Sequence, residues 1–246
     1  MAGNGGGAAA AIVDEKFCYG EETSLTVRKT SVFFPGDGFL VYDPNGEVLF
    51  RFDSYGPETK DELVLMDASG KCLLTLRRKK PSLHNRWEGF LGEVGSNHDA
   101  FSAADGESTA IGPIFTVFKS SIIGQSSLMV ELYNDSGEEY QIEGSYVHRS
   151  CTVYYFSAAG STTKEPVAEI KRKVDPTTGV TLGRDVFWLC LRPGFDGAFA
   201  MGLVLVLDQM SGDRVAAVVD GGGEKEGGVD GGVSALQMST VVPVSD

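Results

Sequence analysis

The tightest constraint on this chain is a run of ten residues without a polar side chain, Ala198 to Leu207 (AFAMGLVLVL), near the end of a sequence that otherwise reads as short strands. Such a segment must be hidden from water. It is too short to cross a bilayer, which takes about 20 consecutive apolar residues, whereas runs of about 10–14 are more often buried core helices. A helix that is apolar around its whole circumference has no solvent face and belongs inside a large core. Pro193-Gly194 breaks the segment before it, and Asp196 is placed to accept backbone N–H bonds as a helix N-cap. A helix from Phe195 to Met210 is about 24 Å long at 1.5 Å per residue. A buried strand is the competing form, because Val204 and Val206 alternate with leucines. Ala198, Ala200, Met201 and Gly202 are poor strand formers and favour the helix, and the small ones let neighbouring strands come close.

The preceding chain repeats one local pattern: an apolar run, an Asp/Asn-x-Gly turn, then a second apolar run. It occurs at Leu40–Phe52 around Asp43-Pro44-Asn45-Gly46, at Leu65–Leu76 around Asp67-Ala68-Ser69-Gly70, and at Leu132–Ile142 around Asn134-Asp135-Ser136-Gly137. Glycine supplies the positive φ, and Asp or Asn bonds its own backbone, so each reads as a β-hairpin. Period-2 alternation rich in β-branched and aromatic residues marks further strands at Phe115–Lys119, Met129–Tyr133, Thr152–Phe156, Val167–Lys171 and Val186–Cys190. The count is about ten to twelve antiparallel strands, whose edges stay vulnerable unless the sheet closes. The expected architecture is mainly β: a closed antiparallel barrel around one hydrophobic helix near the C-terminus.

Composition sets the limits. Residues 1–16, Gly/Ala-rich at their start, and 211–246, with GGGEKEGGVDGG, lack the apolar surface to offset ordering entropy and are expected as flexible tails around a core of 17–210. The net charge of −13 argues against bulk binding to nucleic acid or to anionic membrane. Cys18, Cys72, Cys151 and Cys190 are widely spaced and fit reduced, mostly buried thiols better than a disulfide framework. The N-terminal MAGNGGGAAAA has neither the basic nor the apolar region of a secretory signal, so the expected setting is cytoplasmic, with peripheral contact at the plasma membrane as an extension.

Four segments carry a family resemblance: LTVRKTSVFF at 25–34, FLVYDPNGEVLFRFDSY at 39–55, VLMDASGKCLLTLRRKK at 64–80 and FDGAFAMGLVLVLDQM at 195–210. In this order, over most of 17–210, the chain resembles the plant LURP-one-related proteins. The resemblance implies a Tubby C-terminal-like barrel of about twelve strands around a central helix, shared with tubby-like proteins and phospholipid scramblases. It further implies a link to plant defence signalling. Relatives in the superfamily bind phosphoinositides or sit at membranes. No catalytic motif comes with it, and fold alone is a weak warrant for function.

The densest basic cluster is Arg77, Arg78, Lys79 and Lys80, extended by Lys71 and Arg86; a second is Lys171 to Lys173, near Lys164 and Arg184. Arg forks and Lys point charges are the chemistry that grips a phosphate or inositol headgroup. Solvated hairpin ends and lysine-guarded strands are the plainer account of the same residues. The candidate ligand-binding set is thus Lys71, Arg77, Arg78, Lys79, Lys80, Arg86, Lys171 and Lys173. Trp87 and Phe90, beside the first cluster, read as core. His84, His98 and His148 have no zinc spacing, and His148 and Cys151 fall on opposite faces of a strand, so no metal, cofactor or catalytic residue is expected. The leading expectation is a non-enzymatic binding or regulatory module whose exterior meets a phosphoinositide lipid or a protein partner. The alternatives are an enzyme or small-ligand carrier with a pocket at the barrel mouth, and a membrane protein anchored by 195–210.

Overall fold

The computed structural model describes residues 11–30, 38–52, 61–80, 85–94, 112–120, 127–134, 137–156 and 163–220. Twelve strands form one closed antiparallel barrel: β1 (Thr23–Thr30), β2 (Gly38–Tyr42), β3 (Val48–Phe52), β4 (Glu62–Asp67), β5 (Cys72–Arg78), β6 (Trp87–Leu91), β7 (Phe115–Lys119), β8 (Leu128–Leu132), β9 (Glu139–Ser145), β10 (Ser150–Phe156), β11 (Lys164–Arg172) and β12 (Val186–Leu191). Each pairs with its neighbours in sequence, and β12 returns to β1 in register from Thr23 opposite Leu191 to Arg28 opposite Val186. Closure leaves no unpaired edge for another chain to template on. The three expected hairpins are β2–β3, β4–β5 and β8–β9. In the first, the Asp43 carboxylate accepts the N–H groups of Asn45 and Glu47; in the second, Asp67 accepts those of Ser69 and Lys71. The turn signal in the sequence thus corresponds to an actual bond.

The helix α1 (Gly197–Asp220) enters the lumen with its N-terminal part. Every residue from Ala198 to Leu207 is buried, as its apolar circumference requires. Phe199 meets Phe115 edge-on with centroids 5.0 Å apart and Tyr140 at 5.4 Å, and Phe195 joins them at 5.9 Å from Phe199. Gly202 is the point of close approach: a Cβ there would lie 2.9 Å from Leu74 on β5. Gly89 on β6 has a similar role, because the Phe115 ring covers it and a Cβ would stand 2.2 Å from that ring.

Asp196 caps the helix as expected, with Oδ1 accepting from Ala198 N at 2.9 Å and Phe199 N at 3.1 Å. Its second oxygen accepts from Val13 N at 2.7 Å and Asp14 N at 3.0 Å. The ordered core therefore begins before residue 17. Ile12 and Val13 pack on it, and Glu15–Phe17 forms a short 3-10 turn that sets Phe17 against Phe50 at 4.7 Å. At the other end, the helical backbone runs on to Asp220 rather than stopping at 210. Once nucleated, a helix propagates at little cost, and Ala216 and Ala217 are strong helix formers. Residues 1–10 and 221–246 of the expected tails lie outside the described residues. Among the described residues, no helix is long and apolar enough to cross a membrane.

Two substitutions test this arrangement. Leu205, 1% exposed, becomes an unpartnered buried charge in Leu205→Asp, and the variant is expected to lose cooperative unfolding by circular dichroism. Asp196→Ala leaves four backbone N–H groups without their acceptor. At about 1–3 kcal/mol for each buried orphan, shared partly with water, a loss of about 3–6 kcal/mol is expected in urea unfolding. A loss under about 1 kcal/mol contradicts the role given to this carboxylate.

Candidate functional site

The strand directions decide whether the two basic clusters can meet. All odd-numbered strands run one way, so the C-terminal ends of β5 and β11, where the clusters sit, lie at the same end of the barrel. Around the circumference, five strands separate β5 from β11 in either direction. The clusters therefore share a rim but face opposite walls. Lys71 belongs to neither: it is exposed in the β4–β5 turn at the other end.

Carboxylates reach most of these cations. Arg77 Nε bonds Glu62 at 2.6 Å, its Nη2 donates to the Val94 carbonyl at 2.6 Å, and its guanidinium lies over the half-buried Phe90 ring. Arg78 pairs with Asp61 at 3.5 Å, Lys80 with the same carboxylate, and Lys79 with Glu88 at 2.7 Å. Arg86 stacks over Phe118 at 4.5 Å. On the opposite wall Lys171 pairs with Glu169, Lys164 pairs with Glu143 at 2.6 Å, and Lys173 Nζ donates to the Thr26 hydroxyl at 2.7 Å. Exposed pairs of this kind add little to stability. Their effect is to cancel the field that the sequence alone attributes to the clusters. Trp87 is fully buried in the core. His148 bonds the Ser145 hydroxyl at 2.8 Å and Cys151 points into the core, so the two do not form a pair.

A different constellation forms where α1 leaves the barrel. A cleft of about 390 Å³ opens there, lined by Lys29, Tyr146, Arg149, Arg184, Asp185 and Asp208, among others. Asp208, just after the apolar run, accepts from Lys29 Nζ at 2.9 and 3.1 Å and from the Tyr146 hydroxyl at 3.2 Å. Arg149 is only 7% exposed. Its Nε donates to the Arg184 carbonyl and its Nη1 to the Tyr146 carbonyl, both at 2.9 Å. Its guanidinium lies 4.0 Å from the Tyr146 ring centre and 4.4 Å from that of Phe187. Burial, and then the Asp208 charge, push the Tyr146 hydroxyl well above its ordinary 10.0. Burial pushes the Cys151 thiol up to about 11. Both groups stay protonated at neutral pH.

Sequence reasoning singled out Arg184 only as a basic neighbour of the second cluster, and did not bring Lys29, Tyr146, Arg149 and Asp208 together as a group. One signal was present: an aspartate ending a run that fills a lumen requires a donor at the barrel end.

The comparisons agree with the fold. A family model described as LURP-one-related matches residues 23–208. Protein LURP-one-related 12 of Arabidopsis thaliana is 54% identical over 211 residues, which cover 85% of this chain and 87% of that protein. Protein LURP-one-related 5 of the same plant is 57% identical over 211 residues, covering 84% and 92%. An X-ray structure of an Arabidopsis thaliana protein superposes with a TM-score of 0.54 at 24% identity, covering 82% of this chain and 99% of that one. At that identity the likeness shows the fold alone.

The buried acids predict an alkaline limit. Tyr140, Tyr146 and Cys151 hold their protons more tightly folded than unfolded, chiefly because burial disfavours the charged form. The unfolded chain therefore releases protons first. Stability is full below the ordinary thiol value of 9.0 and falls as pH rises from there through about 11, with the tyrosines following above their ordinary 10.0. The urea midpoint is expected to drop between pH 9 and 11, and less steeply in Tyr146→Phe. A midpoint flat over that range contradicts this.

Proposed function

The chain belongs to the LURP-one-related family, and from that premise we propose that it is a non-enzymatic binding and regulatory module acting in plant defence signalling. One observation carries the reading: α1 occupies the lumen, with Ala198 to Leu207 buried, so the interior is packed and recognition falls to the rim and outer wall. We assign it a protein partner. The carboxylates on Arg77, Arg78, Lys79, Lys80 and Lys171 support this choice, since a lipid headgroup at those clusters would first have to displace Glu62, Asp61, Glu88 or Glu169. The exposed valines Val147, Val174 and Val180 stand on the β9–β10 and β11–β12 connections, at the end where the helix leaves. They offer apolar contacts that a protein surface can cover. The setting we assign is the cytoplasm, with access to the plasma membrane.

Proximity labelling in plant tissue tests this with two forms of the full chain. The wild type is expected to label a reproducible set of signalling proteins. Val174→Asp with Val180→Asp is expected to lose that set while keeping its thermal midpoint. An unchanged set in a folded variant overturns the assignment of the rim. Flotation on phosphoinositide vesicles that Arg77→Ala, Arg78→Ala and Lys80→Ala together abolish would move the reading to lipid. A small molecule retained in the lumen, seen as excess mass in native mass spectrometry, would end it.

A further inference from the structure

We propose that the cleft at the helix exit is an oxyanion site for a phosphate monoester, anchored by Arg149; this rests on the reading that the rim, not the lumen, does the recognising. The first reason is an uncompensated charge. Burying a guanidinium is costly unless an anion faces it, and the ordinary solution is a carboxylate in bidentate contact. Arg149 is 7% exposed, yet among the described residues it forms no ion pair with a carboxylate. Two backbone carbonyls and two aromatic faces hold it. Those contacts fix the plane of the fork without a carboxylate to answer its charge; Nε and Nη1 serve the two carbonyls, neither carbonyl takes Nη2, and the residue lines the cleft.

The second reason is backbone geometry. Arg149 adopts φ 53, in the left-handed region, at the close of the four-residue turn between β9 and β10. A residue without a side chain takes that conformation at no steric cost, and an arginine there is held against its preference. The turn tolerates that cost in order to hold a guanidinium at the mouth.

The third is the charge around the cleft. Lys29 from β1, Arg149 from the β9–β10 turn and Arg184 from the β11–β12 connection converge on it from three segments, against Asp185 and Asp208. Asp208 is already engaged by Lys29 and Tyr146. The local excess is positive in a chain whose net charge is −13. With Lys29 held by Asp208, Arg149 and Arg184 are the cations left to meet a ligand, and a tetrahedral dianion can address both from different sides, where a carboxylate offers two oxygens in one plane. The volume of about 390 Å³ exceeds what a bare ion fills and leaves room for the organic part of an ester.

The ester comes either from solution or from a membrane, and two probes separate these sources. One is calorimetric titration of the full chain with inorganic phosphate and glycerol 3-phosphate. The other is flotation on phosphatidylcholine vesicles with and without phosphatidic acid. Saturable binding is expected in at least one arm. Arg184→Glu, on the exposed lip, should weaken it about tenfold or more without moving the thermal midpoint, and Arg149→Lys, which keeps the charge but loses the fork, should also weaken it. Asp208→Asn, which removes the competing acid and releases Lys29, should tighten it. No saturation in either arm overturns the proposal, as does binding that neither Arg184→Glu nor Asp208→Asn alters. Failure here with the valine-dependent partner set intact removes the cleft alone. Loss of that dependence with phosphate binding intact removes the rim reading instead.

Discussion

The barrel depends on one buried carboxylate. Asp196, 2% exposed, gathers four backbone N–H groups: two from the first turn of α1 and two from the segment that opens the ordered chain. It also pairs through its backbone with Cys18, while Gly194 N bonds the Tyr19 carbonyl at 2.7 Å. The start of the fold, the exit from β12 and the entry of the helix are thus tied at one point. A helix without polar side chains has no preferred rotation or depth of its own among apolar walls; hydrophobic burial is non-directional. Hydrogen bonds at its ends supply the direction that the apolar contacts lack.

The far end of the buried run repeats the device with different chemistry. Asp208 lies about 18 Å along the helix from Asp196 at 1.5 Å per residue, and meets Lys29 and Tyr146 instead of backbone donors. An acid at each end, with hydrocarbon between, fixes the helix along the barrel axis. The shape of Phe115 over Gly89, of Leu74 against Gly202 and of Phe199 against Tyr140 then sets its rotation. Packing and polar anchoring answer separate questions here: how firmly the lumen is filled, and in which register.

What was legible in the sequence was what is local. Asp43 and Asp67 bond N–H groups two and four residues ahead, so a short motif reports the turn that it builds. Alternation in Phe115–Lys119 and the cap at Asp196 were equally short-range. The site was not local. Lys29 and Asp208 are 179 positions apart, and Arg149 draws on Phe187 and the Arg184 carbonyl across β10, β11 and β12. The positive φ of Arg149 has no glycine to announce it. The basic clusters misled for a related reason: their charges are visible in the sequence, but the partners that cancel them depend on register. Glu62 stands opposite Arg77 only because β4 and β5 pair as they do, and Glu88 reaches Lys79 only across the β5–β6 pair. The early chain escaped recognition because Ile12 and Val13 follow a Gly/Ala run and owe their order to Asp196, far away in sequence.

This difference between paired and unpaired charge locates where the molecule can recognise anything charged. A cation on the wall that already holds a carboxylate gains little from exchanging it for another anion, since the new contact replaces an old one in the same solvent. A buried guanidinium held by carbonyls and rings gains the whole of a charge–charge contact in surroundings that screen it weakly. Cation density along the chain is therefore the wrong guide, and cation satisfaction the right one. By that measure Arg77 to Lys80, the most conspicuous basic run in the sequence, is largely satisfied, whereas the buried Arg149 is held by carbonyls and rings and pairs with no carboxylate among the described residues.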